Sequence, residues 1–112
     1  MSMEHVDRMA FIVRPKQPYV DWANSFDDGG PEYDPSAHSA SVFLINEVVE
    51  VTDTAQVVRR YWREIFEEQL HAWMRDPGVW PRRLSRTMFL EWFDVQVCEM
   101  VFDLGRGAIY SD

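Results

Sequence analysis

The residues best equipped for acid–base chemistry are two carboxylates, Glu99 and Asp103, in the most apolar stretch of the chain. Four residues apart on one face of a strand, they would lie ~13 Å apart, because each strand residue rises ~3.3 Å. That separation is too large for two carboxylates to act together on one bond. We therefore expect each to pair with an arginine, and the alternative is that both line a dry cleft as ligand-pocket residues.

Gln69 is a polar residue in the middle of a predicted apolar helix face, about one turn from Ile65 and Trp73. A buried side-chain amide needs hydrogen-bond partners. The simpler prediction is a core hydrogen bond to a backbone group or to a Trp ring nitrogen. The alternative is that Gln69 lines a ligand pocket.

Oxygen ligands suited to a hard cation are concentrated in the segment that contains Asp27, Asp28 and Asp34. The spacing lacks the ordered register and the distal Glu of a calcium loop, so these three are weak metal candidates and we expect no bound metal. His38 follows Asp34 by four residues and is a further candidate for lining a pocket. The chain has no phosphate-binding glycine motif and no nucleophile elbow, so no cofactor is predicted and no catalytic residue is assigned.

Cys98 is the single cysteine, so the chain has no internal disulfide, which is typical of a reducing cytoplasm. We expect it to be an inert core thiol on the apolar side of a central strand. Glu67 and His71 have the spacing of a metal-ligand pair on a helix. Helical periodicity places them opposite the apolar face, so we expect them to be solvated.

Six predicted elements must position these residues. The period-two and period-3.6 patterns predict strands at 8–13, 41–46 and 95–104, and helices at 18–24, 54–74 and 87–94. The order β-α-β-α-α-β predicts an α+β or small α/β fold, with about three strands, one long helix (about 54–74) and two short helices packed on it. We expect a single domain over 1–112. Its ends should be loose at about 1–6 and 106–112, with a long acidic loop at about 25–40.

All three predicted strands carry hydrophobic residues on both sides, so both faces of the sheet need cover. One long helix covers one face. The second face must be covered either by the short helices and the 14–40 region or by a second copy of the chain. The predicted interface residues are Val97 and Val101 on the last strand, together with Trp80, Arg82 and Arg83, which precede the last short helix.

The net charge of −8 is concentrated in residues 21–53, which contain eight acidic residues and no Lys or Arg. The basic residues cluster at 75–86. An acidic surface disfavours nucleic-acid binding, which needs cations to displace the counterions of phosphates. The sequence has no apolar run of about 18 residues and no basic, apolar leader, so we expect neither a membrane span nor a secretory signal.

Three C-terminal patterns, Val79-Trp80-Pro81, Met88-Phe89-x-x-Trp92-Phe93-Asp94 and Met100-Val101-x-Asp103-Leu104, resemble a family of short uncharacterised bacterial proteins. The similarity extends to Phe43-Leu44-Ile45 and to Phe66, Leu70 and Trp73. It implies a small single-domain bacterial protein of the cytoplasm, and it carries no assigned activity or site residues.

These observations favour a non-catalytic domain that forms a homodimer through its acidic and basic surfaces, with another protein as a second candidate partner. The alternative is a small enzyme or ligand-binding protein. Its pocket would lie between the long helix, the sheet and the 24–40 loop.

Overall fold

The computed structural model describes residues 4–5, 8–26, 32–34, 40–46 and 54–105. The fold is α+β, and its main elements follow the predicted order β-α-β-α-α-β. The strands are β1 (Glu4–His5), β2 (Arg8–Pro15), β3 (Ser41–Asn46), β4 (Phe93–Cys98) and β5 (Phe102–Asp103), and the helices are α1 (Gln17–Ala23), α2 (Thr54–Trp73) and α3 (Arg86–Trp92). A short 3-10 turn, Pro77–Val79, joins α2 to the segment before α3.

Strand β2 is the centre of a three-stranded antiparallel sheet with the order β3-β2-β4. Phe11 lies opposite Phe43 on one side and opposite Val97 on the other. Because side chains alternate along a strand, these three residues point to the same face of the sheet. Ile12, the next residue, points to the opposite face.

The hydrophobic core lies between one sheet face and all three helices. It contains strand residues (Met9, Phe11, Val13, Ile45 and Phe93) and helix residues (Tyr19, Val20, Ala23, Val57, Val58, Ile65, Phe66, Leu70 and Phe89). Aromatic rings fill its centre, with the Phe66 ring 5.8 Å from Phe89 and 5.6 Å from Phe93. A few large side chains therefore provide most of the apolar burial in this small domain.

Local sequence signals account for the helix boundaries. Pro18 occupies the first turn of α1, where a missing N–H is tolerated. The Ser85 hydroxyl caps α3 by accepting a hydrogen bond from the Met88 backbone N–H at 3.1 Å. The Asp76 carboxylate similarly accepts from the Gly78 N–H at 2.9 Å, which stabilises the turn that follows α2.

The predicted long strand 95–104 is wrong in its extent, because β4 starts at Phe93 and ends at Cys98. Its pairing with β2 ends at Ala10–Cys98, and the chain pairs again only at β5, where Phe102 lies opposite His5. An alternating apolar pattern records which side chains share a face, but not how far a partner strand extends. Glu4 and His5, which the sequence placed in a loose end, therefore belong to a short strand.

The predicted orientation of β4 is also wrong. Val95 and Val97 pack against the core, whereas Gln96 and Cys98 point to the opposite face. Cys98 is half-buried on an edge strand, so it is not the core thiol of a central strand that the sequence indicated.

Within the predicted 25–40 loop, Tyr33 is buried in the core. The Asn24 side chain holds it in place: its Oδ1 accepts from the Tyr33 N–H at 2.6 Å, and its Nδ2 donates to the Tyr33 carbonyl at 3.3 Å. None of the helices in the described part of the chain combines the length and the apolar character needed to cross a bilayer.

Candidate functional site

Gln69 lies in the core, 9% exposed, as the apolar surroundings predicted. Its Nε2 donates to the Ser41 Oγ at 3.0 Å, and its backbone carbonyl accepts from the Tyr19 hydroxyl at 2.6 Å. The amide is therefore satisfied by a side chain of β3 rather than by a backbone group or a Trp ring. This arrangement connects α2 to the start of β3 and to α1.

Glu99 and Asp103 do not share a strand face. Glu99 is exposed and lies in the break between β4 and β5. Asp103 is half-buried in β5, and its Oδ1 accepts a hydrogen bond from the Gly105 N–H at 2.7 Å. The structure therefore gives Asp103 a role in the local turn, and it brings neither carboxylate to Gln69.

The remaining pocket and metal candidates fall mostly outside the described residues. His38, Asp27 and Asp28 lie outside them, and Asp34 is exposed. Across residues 4–5, 8–26, 32–34, 40–46 and 54–105, no three His, Cys, Asp or Glu side chains are grouped closely enough to hold a metal ion.

The predicted interface residues differ in their surroundings. Trp80 is half-buried against the core, and its Nε1 donates to the Met74 carbonyl at 2.8 Å. Arg82 and Arg83 are exposed, whereas Val101 is half-buried. Val97 packs against the core on the helix-covered face, so the prediction that placed it on the uncovered face is wrong.

The sheet face opposite the helices is the clearest candidate for an interaction surface. We call it the open sheet face, and it consists of Arg8, Ala10, Ile12, Arg14, Val42, Leu44, Asp94, Gln96 and Cys98. Val42 and Leu44 on the edge strand β3 are 58% and 56% exposed. No helix of the described chain covers them, because all three helices pack on the other face.

Polar residues lie at one end of this apolar surface. Arg14 lies opposite Asp94 in the β2–β4 register, and its Nη1 donates to the Gln96 Oε1 at 3.3 Å. The sequence predicted that β3 is covered on both faces because its residues are continuously apolar. The signal that could have corrected this is the alternation of Arg14, Asp94 and Gln96 with apolar neighbours, which is typical of a face near water.

A groove of about 500 Å³ runs between α2 and the edge strand β3. We call it the α2–β3 groove, and it is lined by Phe43, Leu44, Ile45, Tyr61, Glu64, Ile65 and Glu68. A second groove of about 470 Å³ lies between the start of α2 and α3, beside Arg59 and Arg86. Neither is lined by Gln69, Glu99 or Asp103, so these three predicted ligand-pocket residues do not belong to either groove.

Among the described residues, the titratable groups with clearly shifted pKa values are Tyr19 and Tyr33, which belong to the core rather than to these surfaces. Burial raises the pKa of the Tyr19 hydroxyl far above its ordinary value, and the neighbouring Tyr33 adds to the shift. Burial also raises the pKa of Tyr33. Both hydroxyl groups are therefore neutral at ordinary pH.

Comparison of the chain with protein-family models, with curated proteins and with solved structures gives no match. The resemblance to a bacterial family stays a prediction.

Proposed function

We propose that this protein is a non-catalytic interaction domain that forms a homodimer through its open sheet face. The observation that carries the proposal is the exposure of Val42 and Leu44 beside Ile12 on a face that no described helix covers. Burying exposed apolar side chains stabilises an assembly by ~25 cal/mol per Å² of apolar surface removed from water.

The charge of the open sheet face favours a second copy of the chain as its partner. The face carries two Arg and one Asp, Arg8, Arg14 and Asp94, although the whole chain has a net charge of −8. Counted over its described residues, the face has one more positive than negative side chain, so two such faces do not bring an excess of negative charge together. An isologous contact about a two-fold axis also lets Arg14 of one copy approach Asp94 of the other.

The size of the face favours a weak, reversible dimer. Three strands ~4.8 Å apart and six residues long at ~3.3 Å each give a projected area of ~290 Å². A standard interface uses ~800 Å² of accessible surface from each partner. Exposed side chains that follow β4, Met100 at 62% and Leu104 at 73%, can add apolar area to the contact.

Sedimentation equilibrium over micromolar to millimolar concentrations of the full chain tests this proposal. We expect a mass that rises from monomer to dimer with concentration. A monomer at every concentration would exclude the homodimer.

A bacterial cytoplasmic location belongs to the same proposal, and it is supported by the single cysteine and by the resemblance of the C-terminal patterns.

The alternative of a small enzyme or ligand-binding protein receives partial support from the α2–β3 groove, which lies between the long helix and the sheet as that alternative requires. We favour the interaction domain because Gln69, Glu99 and Asp103 do not line the groove.

A further inference from the structure

The α2–β3 groove has an apolar floor and an acidic rim. Ile45 and Ile65 are buried, and Phe43 and Tyr61 are half-buried, so the floor is formed by side chains that already contact the core. Glu64 and Glu68 are exposed on the α2 side of the groove. Among the described residues, neither Glu forms an ion pair, and no Lys or Arg lines the groove.

The other wall of the groove is a sheet edge. Strand β3 pairs with β2 on one side, and no described strand pairs with its outer side. Every second backbone N–H and C=O of an edge strand points away from the sheet and can pair with another extended chain. An added strand would therefore obtain main-chain hydrogen bonds from β3 and side-chain contacts from the groove.

The distance between the two Glu residues on the rim matches the distance between alternate side chains of an extended strand. Glu64 and Glu68 are four residues apart on α2, which separates them by ~6 Å along the helix axis. Side chains two residues apart on a strand point to the same face and lie ~6.6 Å apart. Lys and Arg can lay their aliphatic stems on an apolar surface while their charged ends reach carboxylates.

We propose that the α2–β3 groove binds an extended basic segment of a partner protein, with Lys or Arg at alternate positions, as an added strand on β3. This surface shares only Leu44 with the open sheet face that the homodimer of the proposed function uses. The stems of the basic side chains pack on Tyr61 and Ile65, and their charged ends pair with Glu64 and Glu68.

A second copy of this chain fits the groove poorly. Antiparallel pairing of two β3 strands about a two-fold axis would place both α2 helices side by side on the same sheet face. Glu64 and Glu68 of one copy would then face the same residues of the other, and like charges in contact are unfavourable. Arg60, whose guanidinium lies 5.6 Å from the Tyr61 ring centre, does not line the groove.

Isothermal titration of the full chain with a blocked peptide of alternating Thr and Lys tests the proposal. The matched peptide has Glu in place of each Lys. We expect the Lys peptide to bind, more tightly at low than at high ionic strength, and the Glu peptide not to bind. Hydrogen exchange should slow at alternate amides of β3 when the Lys peptide is added.

The charge-reversal variant Glu64→Lys/Glu68→Lys should lose about tenfold or more in affinity for the Lys peptide and should bind the Glu peptide. The control Glu91→Lys changes an exposed residue of α3 outside the groove and should bind like the wild type. If charge reversal unfolds the chain, Glu64→Gln/Glu68→Gln provides the same comparison.

Three results would overturn the proposal. They are equal binding of the two peptides, unchanged affinity in the charge-reversal variant, and full protection of every β3 amide in the free protein. A variant that is monomeric through a change on the open sheet face but outside β3, such as Ile12→Lys on β2, should still bind the Lys peptide. Peptide binding by a monomeric variant distinguishes a failure of the groove proposal from a failure of the homodimer proposal.

Discussion

The Tyr19 hydroxyl donates a hydrogen bond to the backbone carbonyl of Gln69 at 2.6 Å, and this contact ties α1 to α2 across 50 residues of sequence. The Tyr19 ring also packs 5.1 Å from Phe93 at the start of β4 and 5.4 Å from Tyr33. One side chain thus joins two helices, the sheet and the described part of the acidic loop.

We predict that Tyr19→Phe lowers the free energy of unfolding by ~1–2 kcal/mol, because it removes this hydrogen bond and leaves the buried Gln69 carbonyl without that donor. Denaturant unfolding followed by Trp fluorescence measures the change. Tyr61→Phe is the matched control, since the Tyr61 hydroxyl has no hydrogen bond within the described residues and its ring is half-buried. Equal effects of the two substitutions would contradict the role assigned to Tyr19.

The stability of the protein should fall as the pH rises above ~10. A free Tyr ionises near pH ~10, whereas burial raises the pKa of Tyr19 in the folded chain. Above pH ~10 the unfolded chain therefore loses a proton that the folded chain retains, and each such proton lowers the stability by up to ~1.4 kcal/mol per pH unit. Tyr19→Phe should weaken this dependence, although Tyr33, whose pKa is also raised, should preserve part of it. A pH profile of Tyr19→Phe that is parallel to the wild-type profile would exclude Tyr19 as a source.

Trp92, at the end of α3, contacts the rings of Phe66, Trp22 and Tyr19 at 5.6, 6.1 and 6.3 Å. We predict that Trp92→Ala destabilises the fold by ~3 kcal/mol, near the lower end of the range for large aromatic residues because the side chain is half-buried. Leu90→Ala, two residues earlier on the exposed side of α3, should cost less than ~1 kcal/mol. Thermal melting compares the two, and a Trp92→Ala variant that melts within about a degree of the wild type would contradict this packing.

Periodicity in the sequence was sufficient to predict the element order and much of the core. Apolar spacing predicted the bounds of α2 and β3 and the burial of Gln69, and local backbone chemistry predicted that α1 begins near a proline. These features depend on residues close together in sequence, so a single sequence contains the information.

The faces of the sheet could not be predicted in the same way. On β4, the apolar pattern fits equally well with Val97 or with Cys98 toward the helices, and the choice depends on the register with Phe11. Trp80 is a second example, because its position depends on a hydrogen bond to the Met74 carbonyl that no sequence pattern predicts. Long-range pairing and packing decide both positions.

The candidate site was likewise predicted only in part, because it also depends on long-range pairing. The sequence predicted that the long helix would cover one sheet face and left two ways to cover the other, either the short helices with the 14–40 region or a second copy. It placed Val97 on that second face and missed Val42 and Leu44. Its ligand-pocket residues were chosen for their polarity, and Asp103 and Gln69 use that polarity for hydrogen bonds within the fold.

Sedimentation equilibrium of a matched pair of variants tests most directly whether the open sheet face joins two copies of the chain. Val42→Lys places a charge on the open sheet face, whereas Leu90→Lys places one on an exposed apolar residue of α3. We predict that the wild type and Leu90→Lys dimerise with similar affinity and that Val42→Lys stays a folded monomer at the highest concentration. A wild type that remains a monomer throughout, or a Val42→Lys variant that dimerises as the wild type does, would contradict the account.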